Sequence, residues 1–141
     1  MATGILSKGI KLGYSATKSS TYTDIPDLQE VPNLGGSAEK VEVTTLTDSN
    51  HRYINGIKDY GDLEFKFLYD NSTETSNYRV LKGLETTGAV TYWQVTFPDG
   101  TKFTFSGQVS TQIDSAAVNS ALTFTATITL NSEIEVANPA A

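Results

Sequence analysis

His51 is the only imidazole in a chain of 141 residues, and the chain has no cysteine. A serine hydrolase needs an imidazole beside an activated serine, and no Gly-x-Ser-x-Gly turn occurs to present one. Without cysteine, disulfide frameworks, thiolate zinc sites, iron–sulfur clusters and thiol nucleophiles all drop out. One histidine also excludes multi-histidine metal sites. Acid pairs such as Asp24 with Asp27, or Asp59 with Asp62, could in principle hydrolyse a glycosidic bond. Solvated turn carboxylates have the same spacing, so the pairs carry little. Gly35-Gly36-Ser37 is too short to cradle a nucleotide, and no calcium-loop pattern occurs. Trp93 could stack on a sugar, but it lies in phase with apolar neighbours and reads as core. His51 reads as an exposed loop residue. Nothing in these residues supports an enzyme, a cofactor or a metal.

The elements that would have to position any chemistry are bounded by length and charge. One domain of this size buries enough surface to fold without a staple. Sixteen acids against ten bases give a net charge of −6, with the bases scattered, so the basic patch of a nucleic-acid binder is absent. Charged residues make up 18%, below the ~25% of an ordinary soluble domain. A surface polar but poor in charge suits a protein covered by its neighbours. No apolar run is long enough to span a membrane. Residues 1–13 lack the apolar stretch of a secretory signal, so folding in a cytoplasm is expected, and the Asn71-Ser72-Thr73 sequon carries no weight.

Period-two alternation dominates the rest. From Leu122 to Leu130, Leu122, Phe124, Ala126, Ile128 and Leu130 fall on one face and Thr123, Thr125, Thr127 and Thr129 on the other. Leu63, Phe65, Phe67 and Tyr69 alternate in the same way, as do Trp93, Val95 and Phe97, and Phe103, Phe105 and Val109. Pro98-Asp99-Gly100 joins the last two runs as a hairpin turn. Residues 40–45 read as another strand, with Val41 and Val43 inward. Shorter strands are expected at 9–15, 21–25, 111–115 and 133–136. Ser76 to Leu84 gathers Tyr78, Leu81 and Leu84 on one helical face, with Gly83 or Gly88 to end it. Residues 25–37, with Pro26, Pro32, Gly35 and Gly36, read as an extended connector. Residues 46–60 read as a long irregular loop, although Tyr53, Ile54, Ile57 and Tyr60 call for something to receive them. The fold class expected is mainly β: an antiparallel sandwich or barrel with one packed α-helix and a long loop of β-hairpin type.

From Val31 onward the chain resembles the major tail tube proteins of long-tailed bacteriophages. The resemblance lies in Val-Glu-Val-Thr-Thr-Leu-Thr-Asp at 41–48, Ile-Asn-Gly-Ile-Lys-Asp-Tyr-Gly at 54–61, the strand pair, helix and Phe-Pro-Asp-Gly hairpin that follow, and the Thr-rich strand. It implies a structural virion protein, made in the host cytoplasm, that forms hexameric rings stacked into a hollow tail tube delivering double-stranded DNA. It also implies a single tail tube domain over 1–141, with 1–37 and 46–60 as assembly arms; some relatives carry an immunoglobulin-like domain after this core, and none is expected here. The partners implied are other copies, a tape measure protein, a tail terminator and distal tail or baseplate proteins. Four strands from each of six subunits, spaced ~4.8 Å and tilted ~40°, close a barrel of ~48 Å, leaving roughly 35–40 Å for DNA.

On that reading the channel strands are 40–45, 62–69, 91–97 and 102–109. Their polar positions are Glu42, Thr44, Asp62, Glu64, Lys66, Gln94, Thr96, Lys102, Thr104, Ser106 and Gln108. Thr123, Thr125, Thr127 and Thr129 are expected at the centre of a sheet or against a neighbouring subunit, since an uncharged exposed edge invites aggregation. Tyr53, Ile54, Ile57 and Tyr60 are the expected contacts between rings, against an alternative in which the loop folds back on its own core. The inner tube of a contractile tail, a tailocin or a secretion apparatus stays open. A carbohydrate-binding β-sandwich is the remote alternative.

Overall fold

Alternating side chains make strands here, and the strands pair antiparallel throughout. The computed structural model describes residues 4, 6, 8–18, 21–34, 37–59 and 61–139. In chain order these form β1 (Lys11–Ser15), β2 (Thr23–Ile25), β3 (Leu28–Glu30), β4 (Ser37–Glu42), β5 (Tyr53–Asp59), β6 (Asp62–Leu68), α1 (Asn77–Thr87), β7 (Thr91–Thr96), β8 (Lys102–Ile113), β9 (Thr123–Leu130) and β10 (Glu135–Ala137). The large sheet runs β2-β1-β7-β8-β9-β6-β3, with β10 also paired to β8. Among the described residues, β4 and β5 pair only with each other.

Most of the inward set read from the alternation is the core. Val41 and Leu122, expected inward, are 45% and 42% exposed, Val41 because its hairpin stands outside the large sheet and Leu122 because it precedes β9. Leu63, Phe65, Phe67, Trp93, Val95, Phe105, Phe124 and Ile128 are all buried. Phe67 stacks on Phe124 with ring centres 5.3 Å apart, and the rings of Tyr69 and Tyr78 meet Phe124 edge-on. α1 covers this layer through Leu81, with Tyr78 and Leu84 packed beside it. The helix runs past Gly83 and stops at Gly88, whose φ of 67° is a left-handed cap that a glycine adopts freely. The Pro98-Asp99-Gly100 turn closes as expected, with Phe97 N bonded to Thr101 O and Asp99 accepting from Thr101 N.

β8 does two jobs. Its first half lies beside β7, from Lys102 opposite Thr96 to Gly107 opposite Thr91. Its second half pairs with β9, from Gly107 opposite Leu130 to Ile113 opposite Phe124. The runs read from sequence at 102–109 and 111–115 are therefore one strand. Gly107 sits where partners change, and its carbonyl accepts from the buried Trp93 Nε1–H at 3.2 Å.

Past Gly107, β8 has no strand on its β7 side among the described residues, and the end of α1 closes that edge. Glu85 accepts from Thr111 N at 3.1 Å, Thr111 Oγ1 at 3.0 Å and Ser110 Oγ at 3.2 Å, and pairs with Lys82 Nζ at 2.8 Å. The Lys82 ammonium first, then the Thr111 amide, hold its carboxyl down from 4.5 to about 2. The folded pKa lies below the unfolded one, so this contribution is full above about 4.5 and is lost as pH falls towards 2. Glu85→Gln is therefore expected to flatten the acid limb of the stability curve by about 1–2 kcal/mol. Urea midpoints of both proteins at pH 7 and pH 3 check this. A gap that does not shrink at pH 3 would show that the Glu85 carboxylate adds nothing to stability.

Asn77, which sequence reasoning passed over, ties three elements together. Fully buried, it donates to Pro26 O at 3.0 Å and Leu68 O at 2.7 Å, and its Oδ1 accepts from Asp70 N and Tyr78 N. Every polar atom of the amide is satisfied, which fixes the start of α1 against β6 and the connector after β2.

Three expectations need correction. Residues 46–60 are not irregular throughout: Tyr53–Asp59 form β5, antiparallel to β4 with a register shift between Ala38 and Lys40, so the expected hairpin-type loop is a two-stranded hairpin. The strand expected at 40–45 is centred earlier, at 37–42, and stands outside the large sheet. Within 1–37, the strands β1, β2 and β3 are no free arm, since they lie in the large sheet and Leu12 and Ile25 in the core.

Candidate functional site

Two surfaces stand out, and pairing register decides the membership of each. Residues directly opposite one another in an antiparallel pair point to the same face. On one wing of the large sheet, the side away from the core carries three rows: Asp62, Thr129 and Gln108; Glu64, Thr127 and Ser110; Lys66, Thr125 and Gln112. On the other wing it carries Gln94, Thr104 and Glu135, then Thr96 with Lys102, and Tyr92 with Ser106. The polar positions named for β6, β7 and β8 thus share one face with the threonines of β9. Sequence reasoning divided that face between two roles.

β9 is central, between β8 and β6, which meets the expectation that its uncharged threonines avoid an edge. Thr123 Oγ1 donates to Asp114 Oδ2 at 2.7 Å and Thr125 Oγ1 to Asp114 Oδ1 at 2.9 Å. Those bonds, Thr123's first, with Lys66 nearby, hold the Asp114 carboxyl below the usual range. One candidate is less open than its phase suggested, while Gln108 stays exposed. Ser106 is buried, its Oγ donating to Asn131 Oδ1 at 2.6 Å and its N to Ser132 Oγ, where the chain crosses from β9 to β10. Gln108 turns its amide to Gly88 O at 2.6 Å.

Glu42 and Thr44 do not belong to this face. They lie on the β4–β5 hairpin, where Glu42 Oε2 meets His51 Nδ1 at 2.7 Å and accepts from Thr44 Oγ1 at 3.1 Å. His51 is exposed, as expected of a loop histidine.

The hairpin is the second surface. Val41 faces Ile54, Glu42 faces Tyr53, and the ladder continues with Val43 N donating to Arg52 O. Tyr53, Ile54 and Ile57 do not fold back on the core: they are 54%, 56% and 89% exposed. Tyr60 lies outside the described residues. At the apex, Asp48 accepts from Thr45 N at 2.8 Å and Arg52 Nε at 2.9 Å, and Arg52 N donates to Thr44 Oγ1. This knits the turn and leaves Leu46 fully exposed. The sequence held the signal for Leu46, an aliphatic residue among Thr, Asp, Ser and Asn, but gave no reason to place it at a tip. Among the described residues no cluster of three or more His, Asp or Glu could hold a metal, and no helix is long and apolar enough to cross a membrane.

The fold and sequence both have known counterparts. A chain of the tail of an empty gene transfer agent particle, refined with C6 symmetry, superposes with a TM-score of 0.73 at 16% identity, covering 95% of this chain and 99% of that one. A chain of the native gene transfer agent virion gives 0.71 at 14%, over 95% and 99%. A chain of the six-fold symmetrised anti-feeding prophage baseplate gives 0.69 at 12%, over 98% of each. A comparison with curated protein sequences found no match. The model of the phage tail tube protein family matches residues 4–139. Over nearly its whole length, then, the chain belongs to the phage tail tube protein family, and its place is the tail tube of a phage or phage-like particle.

Proposed function

We propose that six copies form a ring, that rings stack into a tube of the long-tailed type, and that the polar face of β7, β8, β9 and β6 lines the channel. The observation that carries this is the composition of that face. Its back is core, and its open side presents mainly threonine, glutamine and serine, with Tyr92 and Leu68 as its large apolar members and Asp62, Glu64, Lys66 and Lys102 as balanced charges on those four strands. A wall of that kind is wetted, yet offers a passing polyanion no cluster of phosphate contacts. The sixfold symmetry of two of the similar assemblies supports the ring number. Relative to the sequence reading, β9 takes the place given to 40–45 in the channel wall, and Thr123 to Thr129 become channel residues. The β4–β5 hairpin, through Tyr53, Ile54 and Ile57, makes the contacts between rings.

The protein works as a structural part with no chemistry of its own. Its partners are further copies, double-stranded DNA in transit, and the tape measure, terminator and distal tail proteins that bound such a tube. The likeness to the baseplate of the anti-feeding prophage favours a second reading, an inner tube wrapped by a sheath. Negative-stain microscopy of the purified protein tests the proposal: rings or tubes are expected, and particles that stay monomeric at high concentration would contradict it. A sheath around the tube in native particles would decide for the second reading.

A further inference from the structure

Asn55-Gly56 is the only Asn-Gly step in the chain, and Asp99-Gly100 the only Asp-Gly step. Either dipeptide can cyclise on itself, because glycine has no side chain to block its nitrogen from the carboxamide or carboxyl carbon before it. The fold treats the two differently. At the β7–β8 turn Gly100 N donates to Phe97 O at 3.0 Å, and Asp99 Oδ1 accepts from Thr101 N at 3.0 Å. Nucleophile and electrophile are both held there, and an ionised carboxylate is a poor electrophile in any case.

Asn55 is exposed in β5, and among the described residues its carboxamide has no hydrogen-bond partner. Lys40 faces Asn55 and Ala38 faces Lys58, so Glu39 alone stands against Gly56 and Ile57. That bulge interrupts the ladder directly beside the asparagine. Among the described residues β4 and β5 have no strand partner but each other, and a lone two-stranded hairpin is marginal in water.

We infer that Asn55-Gly56 is a site of spontaneous deamidation, entered when the hairpin opens at its bulge. An extended strand keeps the Asn55 carboxamide turned from the Gly56 nitrogen, so the reaction needs β5 to leave that conformation. In the opened hairpin, Gly56 N gives its proton to hydroxide and attacks Asn55 Cγ. The new C–N bond closes a cyclic imide as the Cγ–Nδ2 bond breaks and ammonia leaves. Water then opens the imide, giving aspartate by attack at Cγ or isoaspartate by attack at the Asn55 carbonyl carbon. Aspartate adds a carboxylate opposite Lys40. Isoaspartate routes the main chain through Cγ, lengthens β5 by a methylene and breaks its register with β4. The chemistry needs no ring or tube, so it stands or falls apart from the stacked-tube reading.

Peptide mapping of the purified wild-type chain, incubated folded and in urea, tests this. Aspartate and isoaspartate are expected at position 55, forming faster at pH 8 than at pH 6. The folded chain should convert no more than about tenfold more slowly than the unfolded chain, as an opening free energy of about 1.4 kcal/mol requires. Slower conversion than that in the folded chain would overturn the proposal. Asp99-Gly100 should isomerise in urea only, and Asn55→Gln, whose longer side chain closes the ring poorly, should stay unmodified. Glu42→Cys with Tyr53→Cys, directly opposed in the hairpin, adds a lock to a chain without other cysteine. Its oxidised form should convert at least about tenfold more slowly than its reduced form. Equal rates in the two forms would overturn hairpin opening as the gate.

Discussion

Gly107→Ala is expected to destabilise the subunit by about 3 kcal/mol and to lower its melting temperature by roughly 10 °C. A Cβ built on Gly107 collides with the Thr129 carbonyl oxygen and would come within 3.0 Å of the Ile128 side chain. Neither can retreat cheaply. Thr129 O belongs to the β9 backbone, with β8 on one side and β6 on the other, and Ile128 is wholly buried. The same residue accepts the Trp93 Nε1–H bond, so any displacement of the β8 backbone also threatens a buried donor. Alanine at Gly83 is the control, because nothing lies within 4 Å of a Cβ there and the helix gains propensity. Thermal melts of both variants check the point. Equal midpoints for Gly107→Ala and wild type would show that β8 slides freely at its change of partner.

The second large effect concerns DNA. Changing Asp62 and Glu64 together to lysine turns two carboxylates on the polar face into two ammoniums and leaves Lys66 beside them. Both positions are exposed, so the folded subunit should lose no more than about 0.5–1 kcal/mol. In a tube the change is repeated in every subunit of every ring, and a neutral wall becomes a basic one. Assembled variant tubes are expected to retain DNA at 50 mM salt, and to lose that affinity by about 10³-fold or more at 200 mM, as counterion release requires. Wild-type tubes should bind weakly at both salts. Variant tubes that ignore DNA at low salt would place Asp62 and Glu64 away from the channel.

How much of this was legible differs from strand to strand. β6, β7 and β9 alternate without interruption, and their inward residues, Phe65, Trp93 and Phe124 among them, are the buried ones. Local pattern determines a face. It does not determine a neighbour, and so the alternation in 122–130 could not say that β9 lies between β8 and β6 and shares its polar face with Glu64 and Lys66. A hairpin-type loop was expected here, but β5 was not placed as a strand, for another reason. A bulge shifts register opposite Ala38–Lys40, and Asn55-Gly56 interrupts the alternation, so a strand read as a loop. Gly56 is a close-approach site, since a Cβ there would come within 3.0 Å of Glu39 O. Asn77 and Glu85 were silent because the groups by which they tie the helix to the rest of the fold, Pro26 O and the Thr111 amide, are far away in sequence, which no spacing rule encodes.

The most direct test of the proposed channel wall is a helical cryo-electron-microscopy reconstruction of tubes grown from the wild-type chain. The threonine face of β9, with Glu64 and Lys66 of β6 beside it, is expected to point at the tube axis, in a continuous β-barrel formed by β6 to β9 of every subunit. A map in which that face packs against a neighbouring subunit or looks outward, with another surface towards the axis, would contradict the account.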